Sequence, residues 1–287
     1  MKTSFHILLI AMLFLLFSCE SMVSEVEAPT TSPKIIVSSY LRAGADTIAV
    51  QLYYSRPLYT LTSWSYDGYS PVSDAIVKIN NGSSTTTLLF DPYLKSYYST
   101  DMEVVGGKTY WLEVNTPKGE KVTAHCTVPA MAPPQAENIT VDKNPGNFYE
   151  YSFGFRFADK AGKGDYYRVS AGFFNQWGPM PYEGYYETIW FQNGEEFVSD
   201  VNKDGEYFTY KSPWLYFTSE NNRKINLLLF STDEHYFNYH RSINNFEDDN
   251  PFAEPTPVYS NIEGGLGVFA GYQSFITEID LNTIPGK

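Results

Sequence analysis

The stretch TYWLEVNTPKGEKVTAHCTV, residues 109–128, decides the fold of this chain. Two runs with the composition of β-strands, 109–114 and 121–128, flank a turn at 117–120 that contains Pro and Gly. In the second run, small apolar residues recur at every second position, as expected for a strand with one buried face: Val122, Ala124, Cys126 and Val128. The stretch therefore predicts two short strands joined by a turn.

Similar runs precede this stretch. They cover residues 34–41, 47–53, 75–79 and 85–90, and turns rich in Gly and Asn separate them. Short strands at this spacing predict a β-sandwich over residues 34–131. Three prolines within residues 129–134 then indicate a domain boundary.

The remaining residues, 136–287, predict a second β-rich domain with longer loops. Runs of strand composition are found at 148–157, 166–174, 185–191, 207–210 and 225–230. The Gly-rich segment 263–272 is expected to add a last strand. Its Gly265 and Gly267 fit a loose dinucleotide-binding pattern, but the strand–turn–helix context is missing, so close backbone packing or a bulge is expected instead.

One amphipathic helix is expected near 232–246. Ser231 followed by Glu234 is a capping-box pattern, with Ser231 as the N-cap. Apolar side chains then recur at helical spacing: Tyr236, Tyr239, His240, Ile243 and Phe246. The pair Asn250–Pro251 is expected to end the helix.

The N-terminus predicts export. Residues 1–18 combine Lys2, an apolar run at 7–17 and a small residue before Cys19, which is the layout of a signal peptide. The run is too short to span a bilayer. The segment Leu16-Phe17-Ser18-Cys19 resembles a bacterial lipobox, which implies lipidation of Cys19. Residues 19–33 would then be an acidic, Pro-containing tether. An ordinary signal peptide with an incidental cysteine is the alternative.

The charge balance narrows the class of partner. The chain has 20 Lys and Arg against 33 Asp and Glu, a net charge of -13, and the predicted signal peptide removes one further Lys. Nucleic acid is excluded as a general partner because phosphate binding needs a positive surface. Two cysteines cannot form a disulfide-stapled scaffold, and Cys126 is expected to be a buried core residue.

Catalytic motifs are missing from the sequence. No nucleophile elbow, P-loop, Cys-x-x-Cys or His-Glu-x-x-His pattern is present. His235 and His240 lie about 140° apart around the predicted helix, so they cannot share one face. His125 and Cys126 are neighbours on one strand and point to opposite sheet faces. We therefore expect no enzyme activity and no catalytic residues. An exported hydrolase using two loop carboxylates is the alternative.

A calcium site is one candidate for bound cofactor. Asp200, Asn202 and Asp204, followed by Gly205, match the first half of a calcium-binding loop, in which alternate oxygens converge on the ion. The twelfth position is Lys211, where a bidentate Glu would be needed. The alternative is a polar hairpin turn at Asp204–Gly205 that reverses the chain between flanking strands.

Two loops rich in aromatic residues are the candidate binding surface. The first loop, 173–186, contains two prolines and two glycines, and the second, 59–69, contains Gly68, so neither fits a continuous strand. Tyr and Trp side chains in such loops suit recognition because they offer rigid contact area. The favoured contacts are Trp177 and Tyr182 in one loop and Trp64 and Tyr66 in the other. Packing of these rings back onto the sheets is the alternative.

Several of these features together resemble one family. The lipobox, the strands at 71–79 and 107–114, and the endings at 252–255 and 258–272 are similar to the domain of unknown function 4249 family of Bacteroidetes outer-membrane lipoproteins. The first half also resembles immunoglobulin-like sandwiches that precede TonB-dependent receptors. The resemblance implies an N-terminal immunoglobulin-like sandwich and a lipid-anchored accessory of a TonB-dependent outer-membrane receptor, on the periplasmic or the cell-surface face. It supplies no catalytic residues. A structural surface adhesin is a further alternative.

Overall fold

Most of the described structure consists of β-strands, in which buried and exposed side chains alternate. The structure is a computed structural model that describes residues 32–56, 71–130, 132–176, 178, 180, 182–218, 223–246 and 257–283. Within these residues the chain is mainly β, with one α-helix, α1 (Glu234–Asn244). In β1 (Ile35–Arg42), for example, every second side chain is buried, as the period of two requires.

The strands of the N-terminal half, in chain order, are β1 (Ile35–Arg42), β2 (Ile48–Tyr54), β3 (Ile76–Asn80), β4 (Thr85–Asp91), β5 (Ser96–Ser99), β6 (Thr109–Asn115) and β7 (Lys121–Thr127). Those of the C-terminal half are β8 (Glu137–Lys143), β9 (Glu150–Ala158), β10 (Tyr166–Gln176), β11 (Gly184–Thr188), β12 (Phe197–Ser199), β13 (Tyr207–Lys211), β14 (Leu215–Tyr216), β15 (Lys224–Thr232) and β16 (Leu266–Asp280).

Two sheets contain these strands. The larger has the order β11-β10-β15-β16-β1-β2-β5-β4-β3-β6-β7, with β12 also paired to β10. The smaller has the order β13-β9-β14, with β8 also paired to β9. The pairing of β1 with β16 is parallel, and the other strand pairs are antiparallel. The last strand therefore continues the sheet of the first half into the second.

Three groups of buried side chains hold the fold together. The aliphatic core belongs to the first half and includes Val37, Val50, Val77, Ile79, Leu112 and Cys126, with Phe269 from β16. The aromatic core lies between the smaller sheet and strands β10, β15 and β16, and includes Phe153, Phe155, Phe157, Tyr167, Phe208, Tyr210 and Phe217. The helix core packs Phe197, Tyr236 and Phe237 against Val268 and Ala270. The expected burial of Cys126 is confirmed, because its side chain is fully buried while His125 points outward.

Glycines in β16 permit close approach of neighbouring backbones. A Cβ on Gly267 would overlap the carbonyl oxygen of Val37, and the residue has φ +103. A Cβ on Gly271 would lie 2.7 Å from Cα of Val128, which brings the end of β7 against β16. The expected close packing of the Gly-rich segment is confirmed, because side chains at these positions have no room.

The predicted strands match the structure well in the first half. Its six runs correspond to β1, β2, β3, β4, β6 and β7. The five runs of the second half and the last strand are also found, and the last strand extends to Asp280. Strands β5, β8, β12 and β14 were not predicted. They are short or rich in charged residues, so their hydrophobic alternation is weak. The mainly β class with one helix is confirmed, and the domain boundary stays a prediction.

The predicted helix cap is wrong by two residues. Ser231 lies in β15, and Asp233 is the N-cap: its Oδ1 accepts a hydrogen bond from the backbone N–H of Tyr236 at 2.8 Å. The predicted end is also wrong, since α1 stops at Asn244. Ser231 cannot cap because its backbone pairs with β16, which leaves the next acidic residue at the start of the helix.

The N-terminal predictions fall outside the described residues. The signal peptide 1–18, the lipidation site Cys19 and most of the tether 19–33 are in this group. Within the part of the chain that the structure describes, no helix combines the length and apolar character needed to cross a bilayer.

Candidate functional sites

The first candidate site is an aromatic surface at one edge of the larger sheet. Strand β11 is the terminal strand there, and its one neighbour in the sheet is β10. The exposed fractions of its neighbouring side chains are high: 78% for Tyr182, 54% for Tyr185 and 56% for Tyr186. Tyr216 on β14 is also 52% exposed. We call Tyr182, Tyr185, Tyr186 and Tyr216 the tyrosine edge.

The turn that leads into β11 is closed by its own hydrogen bonds. The backbone N–H of Gly178 donates to the carbonyl of Glu183 at 3.3 Å, and the N–H of Glu183 donates to the carbonyl of Met180 at 3.0 Å. The Glu183 carboxylate also accepts from the N–H of Met180 at 3.0 Å. The turn therefore presents Tyr182 from a closed backbone, which lowers the entropy lost when a partner binds.

Asn175 ties the tyrosine edge to the smaller sheet. Its side chain is almost fully buried, and its Nδ2 donates to Oη of Tyr185 at 3.3 Å and to the carbonyl of Tyr216 at 3.3 Å. Its Oδ1 accepts from Oγ1 of Thr218 at 2.8 Å. A buried amide with its donors and acceptor engaged fixes the two tyrosines relative to each other.

The ring of Tyr186 packs against the backbone at Gly172. A Cβ on Gly172 would be 2.5 Å from the Tyr186 ring, so the ring occupies the space above that glycine on the paired strand. Burial of the hydroxyl raises the pKa of Tyr186 above its ordinary value. The alternative of rings packed onto the sheet thus holds in part for Tyr186, while Tyr182 is the most exposed of the four tyrosines.

Of the four predicted contact residues, the structure describes one. Tyr182 lies in the tyrosine edge, as the loop composition predicted for an exposed residue. Trp177, Trp64 and Tyr66 lie outside the described residues. Sequence reasoning missed Tyr216 and Asn175, because only the packing of β14 beside β10 brings them to the same surface.

The second candidate site is a cluster of three aspartates. Single carboxylate oxygens of Asp159, Asp200 and Asp204 all lie within 4.8 Å of one another. Among the described residues, no other group of three or more His, Cys, Asp or Glu side chains converges in this way. Asp159 and Asp200 are buried and Asp204 is exposed. Hard oxygen ligands of this kind suit Ca²⁺.

Backbone amides already hold these carboxylates. Asp204 accepts from the N–H of Gly162 and Asp200 from that of Gly164, each at 2.8 Å. Asp159 accepts from Oη of Tyr167 at 2.6 Å and from the N–H of Gly205 at 2.8 Å. The cluster therefore closes two loops onto each other, and each carboxylate keeps lone pairs that could face a cation.

The cluster differs in two ways from the sequence prediction. Asp159, which directly follows β9, joins the predicted Asp200 and Asp204 from a distant part of the chain. Asn202 is an exposed residue of a 3-10 helix, Asp200–Asn202. The turn of the hairpin alternative is present, since the N–H of Glu206 donates to the carbonyl of Lys203 at 2.9 Å across Asp204–Gly205. It does not form a hairpin, because the flanking strands β12 and β13 belong to different sheets. Calcium binding itself stays a prediction.

The pKa of a fourth aspartate, Asp165, is affected by the charge of the cluster. Burial raises the pKa of Asp165, and the charges of Asp159 and Asp200 raise it further. Four carboxyl groups near one another in partly buried surroundings repel when ionised. Either protonation or a bound cation would relieve this repulsion.

A cleft of about 590 Å³ lies between the loop at 160–166 and the start of α1, with Asp233 in its wall. Burial raises the pKa of Asp233 to about 7, although backbone hydrogen bonds oppose the shift. Its Oδ2 accepts from the N–H of Gly271 at 2.8 Å. Because both carboxyl oxygens already accept from backbone amides, Asp233 joins the helix to β16 rather than offering a free base.

The fold and these two sites define a class: a mainly β protein whose candidate sites are an aromatic sheet edge and an acidic loop cluster. The model for the domain of unknown function DUF4249 matches residues 22–277, and the chain belongs to this family. No curated protein matches the chain.

Proposed function

We propose that this protein is a non-catalytic lipoprotein of the outer membrane that acts as an accessory partner of a TonB-dependent receptor, in ligand capture or gating. The lipid on Cys19 would anchor it, since several acyl chains hold a protein at a membrane almost permanently. The tether would let the folded part reach a neighbouring barrel. The observation that carries the partner role is the tyrosine edge.

Three properties of the tyrosine edge favour a protein partner. Tyr182 and Tyr185 are more than half exposed, and tyrosine is enriched where protein surfaces bind each other. The amide of Asn175 orients Tyr185 before any partner arrives. Strand β11 ends its sheet, so its outer backbone groups can pair with an added strand of a partner.

Co-purification tests this proposal. The tagged full-length protein is recovered from outer membrane solubilised in detergent, and a receptor barrel is expected to accompany it. The double variant Tyr182→Ala/Tyr185→Ala is expected to lose at least nine-tenths of the barrel. Tyr93→Ala is the matched control, because Tyr93 is 95% exposed in the turn between β4 and β5.

Other outcomes would point elsewhere. Equal recovery of the barrel with the double variant would reject the tyrosine edge as the contact. Recovery of no barrel by the wild-type protein would reject the accessory role and favour the adhesin alternative. Release of a soluble product from glycan or peptide by the purified protein would favour the hydrolase alternative.

A further inference from the structure

Trp111 is an unusual residue on the outer face of the first half. It lies on β6 between Tyr110 and Leu112, which are fully or nearly fully buried, yet 46% of its own side chain is exposed. The tip of the hairpin between β3 and β4 lies beside it, since a Cβ on Gly82 would be 3.6 Å from Cζ3 of the indole. The indole is thus confined at one edge and open to solvent elsewhere.

A row of rings continues from Trp111 across the sheet face. His125 on β7 is its cross-strand partner, so the two side chains lie on the same face. The His125 ring is 5.7 Å from that of His235 on α1. Nδ1 of His235 is 2.7 Å from Oη of Tyr259. We call Trp111, His125, His235 and Tyr259 the ring row.

A groove of about 430 Å³ runs beside the indole. Lys78, Asn80 and Thr85 line one side, Trp111 and Glu113 the middle, and Thr123 the other. These side chains offer ammonium, amide, hydroxyl and carboxylate groups, so the groove has both donors and acceptors.

The charges in the groove largely balance. Lys78 and Glu113 are cross-strand partners, and Lys121 lies 3.1 Å from the Glu113 carboxylate. Hydrogen bonds from Asn115 and Lys121 lower the pKa of Glu113, so it stays ionised at neutral pH. A groove with paired charges offers no concentrated field for a phosphate or a polyanion. It suits a neutral molecule with many hydroxyl groups.

The shape and polarity of this surface suit a sugar. A tryptophan can bury about 150–250 Å², so the exposed part of Trp111 amounts to roughly 100 Å². A flat ring with a polar fringe complements a pyranose, whose C–H face is apolar and whose rim carries hydroxyl groups that both donate and accept.

We infer that this face is a carbohydrate-binding platform for a neutral glycan chain. The indole of Trp111 stacks on one sugar, and the groove side chains bind the hydroxyl groups of that sugar. The ring row carries the neighbouring sugars toward α1. This role does not depend on the proposed receptor contact, because the tyrosine edge lies on a different strand at the opposite end of the sheet order.

Native gels cast with a polysaccharide test this inference on the full mature chain in mild detergent. Dextran, laminarin, xyloglucan and galactomannan are the neutral probes, and heparin is the anionic one. At least one neutral probe is expected to retard the wild-type protein, and Trp111→Ala is expected to weaken this binding at least tenfold. Trp214→Ala is the matched control, because Trp214 is 50% exposed and does not line the groove.

His125→Ala provides a second variant, on an exposed side chain, in case Trp111→Ala unfolds. It is expected to weaken the same binding about threefold, with an unchanged melting temperature. Three results would overturn the inference: no retardation by any neutral probe, retardation by heparin alone, or equal retardation of the wild-type protein and the folded Trp111→Ala variant.

Discussion

The aliphatic core and the aromatic core both fill the interior of the fold, but with different kinds of side chain. The first fills the space within the N-terminal strands with Val, Ile and Leu, which suit regular strands and pack without specific ring geometry. The second fills the space between two sheets with many aromatic rings, such as Phe155 stacked on Tyr210 at 5.1 Å. The half with the aromatic core also has the longer loops and both described candidate sites.

Truncating one ring should show how much the second half depends on stacking. Phe157 is fully buried and lies within 5.3 Å of the rings of Phe208 and Tyr167. We expect Phe157→Ala to lower the free energy of unfolding by about 3–5 kcal/mol. Ile79→Ala in the aliphatic core is expected to cost less, toward the lower end of the range of about 2–5 kcal/mol for such truncations, because no ring pairs are lost. Urea unfolding measures both, and a larger loss for Ile79→Ala would contradict the comparison.

The carboxyl of Asp233 should make the junction of the two halves sensitive to pH. Its pKa is about 7 in the folded protein and near 3.9 in an unfolded chain, so the folded state holds the proton more tightly. The stabilisation is complete below about pH 4 and is lost as the pH rises through 7, by at most about 1.4 kcal/mol per pH unit.

Thermal unfolding between pH 4 and 8 measures this slope. Asp233→Asn should flatten it, since Asn can cap the helix but does not titrate. Asp101→Asn, at an exposed position, is the control and should leave the slope as it is. If Asp233→Asn and the wild-type protein show the same slope, another group is responsible.

Calcium should stabilise the half with the longer loops. At a free concentration one hundred times its Kd, the ion would raise the free energy of unfolding by about 2.7 kcal/mol. Asp200→Asn is expected to remove most of this gain by taking a charge from the buried cluster. Melting curves in CaCl₂ and in EDTA provide the measurement, with Asp101→Asn as control. Identical curves for the wild-type protein in both solutions would rule out the site.

The smallest expected effect concerns His240, which lies between the two halves. Its ring stacks on Tyr40 at 5.4 Å and on Phe197 at 5.9 Å, and no described residue hydrogen-bonds its buried Nε2. Burial, and then the charge of Arg168, lowers the pKa of His240 to about 4, so the ring is neutral at pH 7. We expect His240→Phe to raise the free energy of unfolding by up to about 1 kcal/mol.

His235→Phe is the comparison for that variant. It loses the contact with Tyr259 and should cost about 1 kcal/mol. A loss of stability with His240→Phe comparable to that of His235→Phe would show that Nε2 has a partner in solution.

The regular part of the fold could be predicted because its signal is local. Alternation over six or seven residues marks β1, β2 and β6 without reference to any neighbour. The parallel pairing of β1 with β16 could not be predicted, since it joins the two ends of the described chain. The predicted N-cap was wrong for a related reason: the backbone of Ser231 pairs with β16, and this long-range pairing leaves no local signal in the sequence.

The candidate sites show the same limit. Asp200 and Asp204 were predicted from their spacing, but Asp159 joins them only through the fold. Tyr182 was predicted as a contact from loop composition, whereas Asn175 and Tyr216 have no local signal that separates them from other polar or aromatic residues. Residues that come together only through tertiary packing have no characteristic spacing in the sequence from which they could be predicted.

The position of β1 has a mechanical consequence. This strand begins within a few residues of the predicted tether, and it lies between β2 and β16 with hydrogen bonds along both sides. A pull from a membrane anchor would act along the strand, so the load would be shared by both ladders in shear rather than opening one bond at a time. If Cys19 carries the proposed lipid, the end of the fold nearest the membrane would be the one whose strand is held on both sides.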